Sequence, residues 1–499
     1  MGYLLTIAGH DPVHGAGVTA DLAAWAAMGL DGASVVTALT VQNSSGLRRV
    51  EPVSAMLVRD ALQAVLLDGE PMAIKVGMTG SAAVLREVTD FVATRRCPVV
   101  VDPVLAASNG QAAHGGDAAA FLAALRGLLR HADVVTPNLP EALVLLDDAP
   151  VTLPALRALC RGAVVLKGGH GGGSRSVDWV ADGQRTARLS SPRWPEPAHG
   201  TGCVFSAALA GMLARGWDVF DAAAEAKVRV TAGIARARRQ GPGRPHTHAA
   251  AQADATHLPT LHWAVEGATA EPPSAAAFAP MAGPMGFYPV VPDAAWVERL
   301  LGWGVRTVQL RVKAGTLGDE ALRAEIDRAV AAGRAVPGAQ VIVNDHWRLA
   351  IAAGAFGVHL GQEDLETADL GALRHAGLRL GVSSHTPSEM ARAHAVAPSY
   401  VAIGPVYPTT LKAMRYEPVG LTQLAEWTRR YQPAYPVVAI GGIDLARAPG
   451  VWACGVDSVA VVSAVTQAAD PEAVVRAFLA QRHPDAGPLL SGESLSAER

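Results

Sequence analysis

The feature that most constrains this chain is a repeated alternation of short apolar runs with helical windows. Between Gly2 and about Gly241, six runs rich in Val, Ile or Leu recur: YLLTIAG, ASVVTALTVQ, AIKVGM, PVVVDPVL, ADVVTPN and AVVLKGG. Their apolar residues are continuous rather than alternating, as expected for strands buried on both faces. Ala- and Leu-rich windows such as TADLAAWAAMGL separate them. This order predicts an α/β fold with a parallel sheet covered by helices.

The alternation returns in the second half of the chain with a different count. From Phe287, eight strand candidates follow: FYPVV, TVQLRV, QVIVND, GVHLG, RLGVSS, YVAIGPV, PVVAIGG and SVAVVSA. Eight strands alternating with helices in about 200 residues are typical of a closed (β/α)8 TIM barrel. We therefore predict a parallel-sheet domain over residues 1–248 and a barrel over residues 286–485.

Composition changes between the two blocks. Residues 249–285 are rich in Ala, Pro and Gly and show little periodicity. We expect a linker there, semi-stiff where the prolines fall. Its histidines are irregularly spaced, which favours a solvated linker over a metal site. Residues 486–499 are expected to form a disordered tail.

The bulk composition restricts the class of function. The 499 residues carry a formal net charge of −3, whereas nucleic-acid binding needs a strongly basic face. No apolar run approaches the roughly 20 residues that span a bilayer, and MGYLLTIAGHDP lacks the basic region of a signal peptide. Four scattered cysteines without a CxxC pair suit a reducing compartment. We expect a cytoplasmic enzyme of small molecules, with neither nucleic-acid nor membrane partners; a homo-oligomer is compatible with the sequence.

A glycine-rich stretch, HGTGC, spans His199 to Cys203 and leads into the helical window VFSAALAGMLARG. Backbone N–H groups at a helix start, assisted by the helix dipole, form an anion site. A thiol in that position is expected to have a lowered pKa. Taken alone, the stretch favours an inert, buried cysteine over a functional one.

Polar residues follow other apolar runs of the first half. They are Asp102 in VVVDPVL, Asn138 and Glu141 in VVTPNLPEA, and Lys167 in VVLKGGH, while the glycine-rich turn GHDPVHGAGVTAD ends in Asp21. Open α/β sheets bind ligands at the carboxyl ends of their strands. Carboxylate and amide oxygens suit a hydrated Mg²⁺ with nucleotide phosphates, and Lys suits a phosphate. For Asp11, Asp21 and Asn138, ordinary turn or cap roles remain open.

Six motifs occur in one order: GHDPxxGAGxxAD, KVGM, VVDPV, TPNLPEA, KGGH and HGTGC. Together, over roughly residues 3–248, they resemble hydroxymethylpyrimidine/phosphomethylpyrimidine kinase, a family of ribokinase-like fold that works in thiamin biosynthesis. The resemblance implies ATP as phosphoryl donor. The chain differs from the family at Val13 and His14, where Ser-Gly is usual, and at LAASNGQ, where Lys-Ser-Gly is usual.

The kinase resemblance also assigns residues. Cys203 would accept the proton of the attacking hydroxyl, and Lys167 would contact the transferred phosphate. Gly200, Thr201 and Gly202 would hold the γ-phosphate. The pyrimidine substrate would be bound by Gln42, Met78 and Asp21. The nucleotide and its metal would be bound by Asp102, Asn138 and Glu141.

Strand ends of the second half carry a charged set. It comprises Gln309, Arg311, Lys313, Asn344, Asp345, Asp364, Ser383, Ser384, Thr409, Thr410 and Lys412. Arg311 and Lys313 share a strand face at period two. Two cations beside two aspartates suit a polyphosphate with a metal, since Mg²⁺ takes one or two carboxylates plus phosphate oxygens. The alternative is that Asp345 and Asp364 simply face solvent at the mouth of a barrel.

The last two strands end in AIGGI, with Gly441 and Gly442, and in VVSAV, with Val462 and Ser463. Barrels commonly build a phosphate site there from backbone N–H groups. The second half therefore predicts a transferase with two phosphorylated substrates.

The order QLRxK, VND, GVHLGQED, GVSxH, GPVYPT, AIGGI and VAVVSA is similar to thiamine-phosphate synthase over roughly residues 287–480. In that family a pyrimidine cation forms as pyrophosphate leaves, and the thiazole nitrogen of a thiazole phosphate captures it. His346 stands where Arg is usual, and Leu411 replaces the usual second Thr, for which Thr410 or Arg415 could compensate.

This second resemblance assigns Asp345 and Asp364 to Mg²⁺. It assigns Gln309 to the substrate, and Ser383 to the reacting pyrimidine or pyrophosphate. The phosphate-binding sets are Arg311, Lys313, Asn344 and Lys412 for pyrophosphate, and Thr409, Gly442, Val462 and Ser463 for the thiazole phosphate. Thr410 is expected among the substrate-binding residues.

The two halves make sense in sequence, because the product of the first would be the substrate of the second. We therefore predict a bifunctional enzyme of thiamin biosynthesis that forms thiamin monophosphate. One alternative is a first half that binds the pyrimidine as a sensor without phosphorylating it. Another is a barrel that acts as a thiazole tautomerase and needs no pyrophosphate site.

Overall fold

The computed structural model describes residues 2–107, 109–169, 171–264, 276–313, 315–409, 417–432 and 434–481. Two compact units account for the chain, Met1–Ser274 with Thr386–Ala395, and Ala275–His385 with Val396–Arg499. Within the described residues, no helix combines the length and apolar character needed to cross a membrane.

The first unit is built on one ten-stranded sheet. Its strands are β1 (Leu4–His10), β2 (Gly32–Asn43), β3 (Gly46–Pro52), β4 (Ala73–Val76), β5 (Val99–Val101), β6 (Val134–Val135), β7 (Ala163–Leu166), β8 (Arg175–Ala181), β9 (Thr186–Pro192) and β10 (Thr260–Trp263). Their order is β10-β9-β8-β7-β6-β5-β4-β1-β2-β3. Six neighbouring strands, β7, β6, β5, β4, β1 and β2, pair in parallel, as predicted. Strand β3 on one side and strands β8, β9 and β10 on the other pair antiparallel.

Helices cover both faces of this sheet, because its strands are apolar on both. The helices are α1 (Gly17–Ala27), α2 (Ala55–Leu66), α3 (Ala82–Ala93), α4 (Ala118–Leu129), α5 (Leu139–Leu145), α6 (Leu153–Arg157), α7 (Thr201–Ala214) and α8 (Val219–Ala235). Trp25, Phe205 and Phe220 belong to one buried cluster, and Leu62 and Phe121 to another. Neighbouring strand residues alternate between the two clusters, as a two-faced core requires.

The second unit contains a closed barrel of eight parallel strands. They are β11 (Gly286–Val291), β12 (Thr307–Leu310), β13 (Gln340–Asn344), β14 (Gly357–Leu360), β15 (Arg379–Ser384), β16 (Tyr400–Ile403), β17 (Val437–Ile440) and β18 (Ser458–Val461). Each pairs with the next, and β18 closes on β11. All eight predicted strands are present, so the prediction of a (β/α)8 barrel is confirmed.

Helices follow most of the barrel strands in the chain. They are α9 (Ala294–Gly302), α10 (Asp319–Ala335), α11 (Trp347–Ala353), α12 (Asp364–Thr367), α13 (Leu370–His375), α14 (Pro387–Val396), α15 (Gly420–Tyr431), α16 (Ala448–Trp452), α17 (Ser463–Thr466) and α18 (Pro471–Ala480).

The structure differs from the predicted linker over 249–285. A 3₁₀ turn at Ala255–His257 and strand β10 at Thr260–Trp263 lie inside it, and β10 pairs antiparallel with β9. Only Leu261 of this strand is fully buried. A four-residue edge strand directly after Pro259 gives too little periodicity to be predicted. The predicted tail, 486–499, lies outside the described residues.

Candidate active sites

A cavity of about 610 Å³ opens in the first unit where several parallel strands end. It is lined by the loop after β1, by Asp102 after β5, by Asn138 after β6 and by Lys167 after β7. The predicted residues that line it are Gln42, Met78, Asp102, Asn138, Glu141, Lys167, Gly200, Thr201, Gly202 and Cys203. Sequence motifs spread over about 160 residues of chain are thus brought to one cavity.

Lys167 and Asp102 form the charged centre of this cavity. Lys167 Nζ lies 2.6 Å from Asp102 Oδ1, and the Thr136 hydroxyl donates to the same oxygen at 3.2 Å. Burial favours the neutral acid, but Lys167 and Lys75 outweigh it and hold the pKa of Asp102 below its usual value. The site therefore presents an ionised carboxylate beside an ammonium group.

Two glycine-rich loops meet at the start of helix α7. Gly200 caps the helix with φ of 80°, and a Cβ there would lie 1.7 Å from the carbonyl oxygen of Gly15. A Cβ at Gly202 would lie 3.3 Å from both Asp102 Oδ2 and Lys167 Nζ. The N-terminal N–H groups of α7 therefore point into a cradle that side chains would fill.

Cys203 lies in this cradle, but its thiol is not acidified. Its Sγ accepts a hydrogen bond from the Gly17 N–H at 3.4 Å. Burial raises the pKa of Cys203 to about 11, with Asp21 and Asp102 adding to the shift and Lys75 opposing it. The expectation that the helix start lowers this pKa is wrong, because desolvation and two carboxylates outweigh the dipole.

Asn138 and Glu141 form a capping box at the start of α5. The Asn138 side chain accepts from the Glu141 N–H at 2.9 Å, and the Glu141 carboxylate accepts from the Asn138 N–H at 2.8 Å. Burial raises the pKa of Glu141 to about 7, despite the nearby Lys167. Both residues thus have the structural role that was left open for Asn138, while also lining the cavity.

Asp21 is placed differently from its predicted role in substrate binding. It is fully buried, receives a hydrogen bond from Thr6 at 2.6 Å and pairs with Lys75 Nζ at 2.8 Å. Lys75 lines the cavity, whereas Asp21 is absent from its lining. The structure therefore makes Asp21 the buried partner of a cavity lysine.

Other polar residues also line the cavity: Asp11, whose turn or cap role was left open, and Asp178 and Lys227, which were not predicted. Asp11 accepts from the Val13 and Gly15 N–H groups at 3.0 Å and contacts His199 Nε2 at 3.2 Å. This turn puts His14 at φ of 58°, the left-handed region that favours glycine. The conformation explains why a Gly is usual there in the kinase family. Further along the wall, Lys227 pairs with Asp178 at 2.9 Å.

Asp345, Asp364 and Arg311 come together at the strand ends of the barrel. Loss of solvation and the charge of Asp364 raise the pKa of Asp345, and Arg311 opposes this shift. Asp345 itself follows β13 in the left-handed region, with φ of 61°. Asp364 Oδ2 accepts from the Gly361 N–H at 3.2 Å. A carboxylate whose pKa is raised by a second carboxylate beside it marks a place where a cation would be favoured.

The other predicted barrel residues lie at the same strand ends. Asn344 is buried, Lys313 is exposed, and His346 Nε2 contacts the Val312 carbonyl at 3.3 Å. Gly441 and Gly442 have φ of 101° and 67°, and their missing side chains leave room for the 405–408 loop. Thr409 follows this loop, and Val462 with Ser463 begins the short helix α17. Thr410, Leu411, Lys412 and Arg415 lie outside the described residues.

Five polar side chains join inside the barrel in one hydrogen-bonded row. The Gln309 amide donates to Tyr288 Oη at 2.9 Å, and Tyr288 Oη lies 2.8 Å from Tyr400 Oη. Tyr400 Oη lies 2.9 Å from His359 Nδ1, and His359 Nε2 lies 2.8 Å from Ser383 Oγ. Tyr288, Tyr400 and His359 were not predicted, although polar residues inside buried strands were the available signal.

Across the described residues, no cluster of three or more His, Cys, Asp or Glu side chains is arranged to hold a metal ion. A metal at Asp345 and Asp364 would take its other ligands from water and from substrate oxygens. Mg²⁺ is commonly bound in this way, through one or two carboxylates and phosphate oxygens.

Comparison with known proteins decides the family of the barrel. The model of thiamine monophosphate synthase matches residues 288–465. The chain is 56% identical over 203 residues to thiamine-phosphate synthase of Neisseria meningitidis serogroup A, covering 41% of this chain and 97% of the relative. It is 55% identical over 193 residues to that of Escherichia coli O157:H7, covering 39% and 90%. The chain belongs to the thiamine-phosphate synthase family.

The first unit of this synthase-family chain matches a second model. Phosphomethylpyrimidine kinase is matched over residues 11–248. Two solved structures are similar to the chain. Pyridoxal kinase of Staphylococcus aureus with AMP-PCP and pyridoxal has 26% identity and a TM-score of 0.48, covering 53% of this chain and 99% of that one. Phosphomethylpyrimidine kinase of Clostridium difficile has 29% identity and a TM-score of 0.40, covering 46% and 98%. The chain joins a unit that matches the phosphomethylpyrimidine kinase model to a barrel of the thiamine-phosphate synthase family.

Proposed function

We propose that this chain carries out two consecutive steps of thiamin biosynthesis. Its first unit phosphorylates hydroxymethylpyrimidine and then its phosphate with ATP. Its barrel joins the resulting pyrophosphate to thiazole phosphate, giving thiamin monophosphate and pyrophosphate. The observation that carries this proposal is the match of the two units to two families whose reactions share one intermediate.

In the kinase unit, the start of α7 would hold the transferred phosphoryl group. The N–H groups of Thr201, Gly202 and Cys203 are the first donors of this helix, and Lys167 lies beside them. A preorganised set of donors stabilises charge that develops on the transferred group. Asp102, Asn138 and Glu141 would face the nucleotide and its Mg²⁺, with Gln42 and Met78 at the pyrimidine.

The two phosphorylations differ in their need for a base. In the first, a substrate hydroxyl forms the new O–P bond, the bond from the γ-phosphorus to ADP breaks, and the hydroxyl proton must leave. In the second, the attacking group is a phosphate oxygen, whose second pKa near 6 already leaves it ionised at neutral pH. Cys203 would accept the proton of the first step only, with ionised Asp102 as the alternative acceptor in the same cavity.

In the barrel, the carbon–oxygen bond between the pyrimidine methylene and pyrophosphate breaks. Arg311, Lys313, Asn344 and Lys412 would hold the departing pyrophosphate. Asp345 and Asp364 would hold Mg²⁺, which supplies positive charge to the leaving group when it is bound. Thr409, Gly442, Val462 and Ser463 would orient the thiazole phosphate so that its ring nitrogen forms the new carbon–nitrogen bond.

We place the reaction in the cytoplasm. All four cysteines, Cys97, Cys160, Cys203 and Cys454, are free thiols, as expected in a reducing compartment. A homo-oligomer stays a prediction, for which light scattering of the purified chain is the direct measurement.

One incubation tests the whole proposal. The chain is supplied with hydroxymethylpyrimidine, thiazole phosphate, ATP and Mg²⁺, and thiamin phosphate is measured by mass. Lys167→Ala should stop product formation, and added pyrimidine pyrophosphate should restore it. Asp364→Asn should stop it without such rescue. A sensor would consume no ATP, and a tautomerase would release no pyrophosphate; either result would overturn the proposal.

A further inference from the structure

In the row from Gln309 to Ser383, each hydrogen bond has a donor and an acceptor. The chemistry of the five groups determines in which direction along the row the donors point. Its five members are contributed by five different strands, β11, β12, β14, β15 and β16. Tyr288 and Tyr400 are no more than 1% exposed, and burial raises the pKa of both, so each hydroxyl keeps its hydrogen. The two ring nitrogens of His359 each lie at hydrogen-bond distance from one hydroxyl, Nδ1 2.9 Å from Tyr400 Oη and Nε2 2.8 Å from Ser383 Oγ.

One direction satisfies every buried group of the row. Gln309 donates to Tyr288, Tyr288 to Tyr400, and Tyr400 to His359 Nδ1; the remaining N–H, on Nε2, then donates to Ser383 Oγ. In this arrangement the only hydroxyl hydrogen left over belongs to Ser383. Ser383 is half-buried at the end of β15, where a TIM barrel binds its substrates.

The opposite direction fails at its buried end. If Ser383 donated to His359 and the row ran back to Tyr288, the Tyr288 hydroxyl would face the Gln309 amide nitrogen, which is also a donor. A buried hydroxyl hydrogen would then have no acceptor, which is costly in a dry interior. The forward direction therefore holds as long as Tyr288 and Tyr400 keep their hydroxyls.

The packing around Tyr400 is built to admit this row. Gly381 lies opposite Tyr400 in the pairing of β15 with β16. A Cβ at Gly381 would lie 2.0 Å from Tyr400 Cζ, so only glycine leaves room for the ring to cross the barrel.

We propose that Tyr400, supported by Tyr288, is a positioning residue for the synthase reaction. It holds His359 as the Nε2–H tautomer, so that the Ser383 hydroxyl accepts from His359 and donates its own hydrogen to the substrate. This inference rests on the proposed function of the barrel, in which Ser383 faces the reacting pyrimidine or pyrophosphate.

The kinetic test uses the full chain supplied with pyrimidine pyrophosphate, thiazole phosphate and Mg²⁺. Tyr400→Phe should lower kcat about 3- to 10-fold, the range expected for one lost hydrogen bond, with KM for thiazole phosphate unchanged. Tyr435→Phe, at another buried tyrosine of the same unit, should leave kcat unchanged. In a Ser383→Ala background, Tyr400→Phe should change kcat less than about 2-fold, because its effect passes through Ser383. Additive losses, or no loss from Tyr400→Phe, would overturn the proposal.

A spectroscopic test keeps the inference separate from the proposed activity. Nitrogen-15 NMR of the His359 ring, assigned with His359→Gln, should show a proton on Nε2 in the wild type. Tyr400→Phe should shift the ring toward the other tautomer, and Tyr288→Phe should do so less. A proton on Nδ1 in the wild type would refute the inference, even in an active enzyme. Failure of the wild type to form thiamin phosphate would refute the proposed function instead. The tautomer of His359 would still decide the direction of the hydrogen bonds in the row.

Discussion

Asp21 and Lys75 form an ion pair whose two side chains are completely buried, with 2.8 Å between Lys75 Nζ and Asp21 Oδ2. Burial alone disfavours the ammonium group, but Asp21, Cys203 and Asp102 raise the pKa of Lys75 above its usual value. The pair links strand β4 to helix α1 directly behind the kinase cavity.

Asp21→Asn should therefore destabilise the kinase unit by about 3–5 kcal/mol, because it leaves Lys75 buried without its counter-charge. Hydrogen exchange of β1 and β4 peptides, followed by mass spectrometry, measures this unit separately from the barrel. Glu87→Gln, which breaks the exposed pair with Arg59, should change exchange little. Asp21→Leu with Lys75→Met should restore much of the stability. If Asp21→Asn instead raised KM for the pyrimidine without loss of protection, Asp21 would bind substrate as first predicted.

The two ends of helix α7 offer a matched pair of glycine substitutions. Gly200 and Gly216 have φ of 80° and 83°, so alanine costs about 1–2 kcal/mol of conformational energy at either place. Only at Gly200 would the new Cβ collide, 1.7 Å from the Gly15 carbonyl oxygen, whereas at Gly216 nothing lies within 4 Å. Gly200→Ala should lower kinase kcat about 100-fold by displacing the phosphate cradle, and Gly216→Ala should not. Equal rates in the two variants would remove Gly200 from the proposed site.

The sheet and the barrel could be predicted because their central strands are continuous apolar runs. Strands β3, β8 and β9 could not, since GLRRVEP, RSVDWVA and TARLSSP mix charged and hydroxyl residues with a few apolar ones and contain no long continuous apolar run. Their antiparallel pairing is set by tertiary contacts that periodicity does not report.

Candidate site residues at strand ends were found from the sequence, whereas polar residues inside strands, apart from Gln309, were not. Lys75 lies within the apolar run AIKVGM, and Tyr400 within YVAIGPV, so both were interpreted as parts of strands. A lysine in a strand buried on both faces needs a buried partner, and this was the missed signal. The pKa of Cys203 was predicted with the wrong sign because the sequence does not show that the thiol is buried and that Asp21 and Asp102 converge on it.

Cys203→Ala should separate the two phosphorylations. Loss of a positioned base typically costs on the order of 10²–10⁴-fold, and only the attack of the hydroxyl requires one. Phosphorylation of hydroxymethylpyrimidine should fall by this amount, while phosphorylation of its phosphate should stay within about 10-fold of wild type. Each step is measured with its own substrate by release of ADP.

Acidity gives an independent check on the same thiol. With a pKa of about 11, roughly one Cys203 in a thousand is ionised at pH 8, so the hydroxyl step should accelerate as pH rises toward 11. Cys203→Asp should still phosphorylate hydroxymethylpyrimidine, and its rate should rise at a lower pH, because a carboxyl group has a lower pKa than a thiol. An unchanged profile in Cys203→Asp, or wild-type rates in Cys203→Ala, would favour Asp102 as the proton acceptor.

His359 should make the barrel sensitive to acid. Burial, Arg311 and His385 lower its folded pKa to about 4, whereas an unfolded histidine has a pKa near 6.5. The neutral ring therefore contributes stability that is fully present above pH 6.5 and is lost as pH falls toward 4, by up to about 3 kcal/mol. Urea unfolding of the barrel at pH 7 and pH 4.5 should show a smaller difference in His359→Gln. Equal pH dependence in the two proteins would mean that His359 titrates normally.

Asp345 and Asp364 should be needed for the synthase reaction and not for the kinase. Charge develops on the pyrophosphate as it leaves, so a metal held there contributes most in the transition state. Asn is the suitable replacement at Asp345, because its φ of 61° would strain most other residues. Asp345→Asn and Asp364→Asn should each lower the rate of thiamin phosphate formation by at least about 100-fold and raise the Mg²⁺ concentration needed for half-maximal rate.

Asp369→Asn, which changes the exposed cap of α13 in the same unit, is the charge-matched control and should leave both the rate and the Mg²⁺ dependence unchanged. Phosphorylation of the pyrimidine should be normal in all three variants, because the kinase cavity is lined by the first unit alone. A variant that keeps a normal rate and normal Mg²⁺ dependence would contradict the metal assignment, and a tautomerase is the activity that would tolerate it.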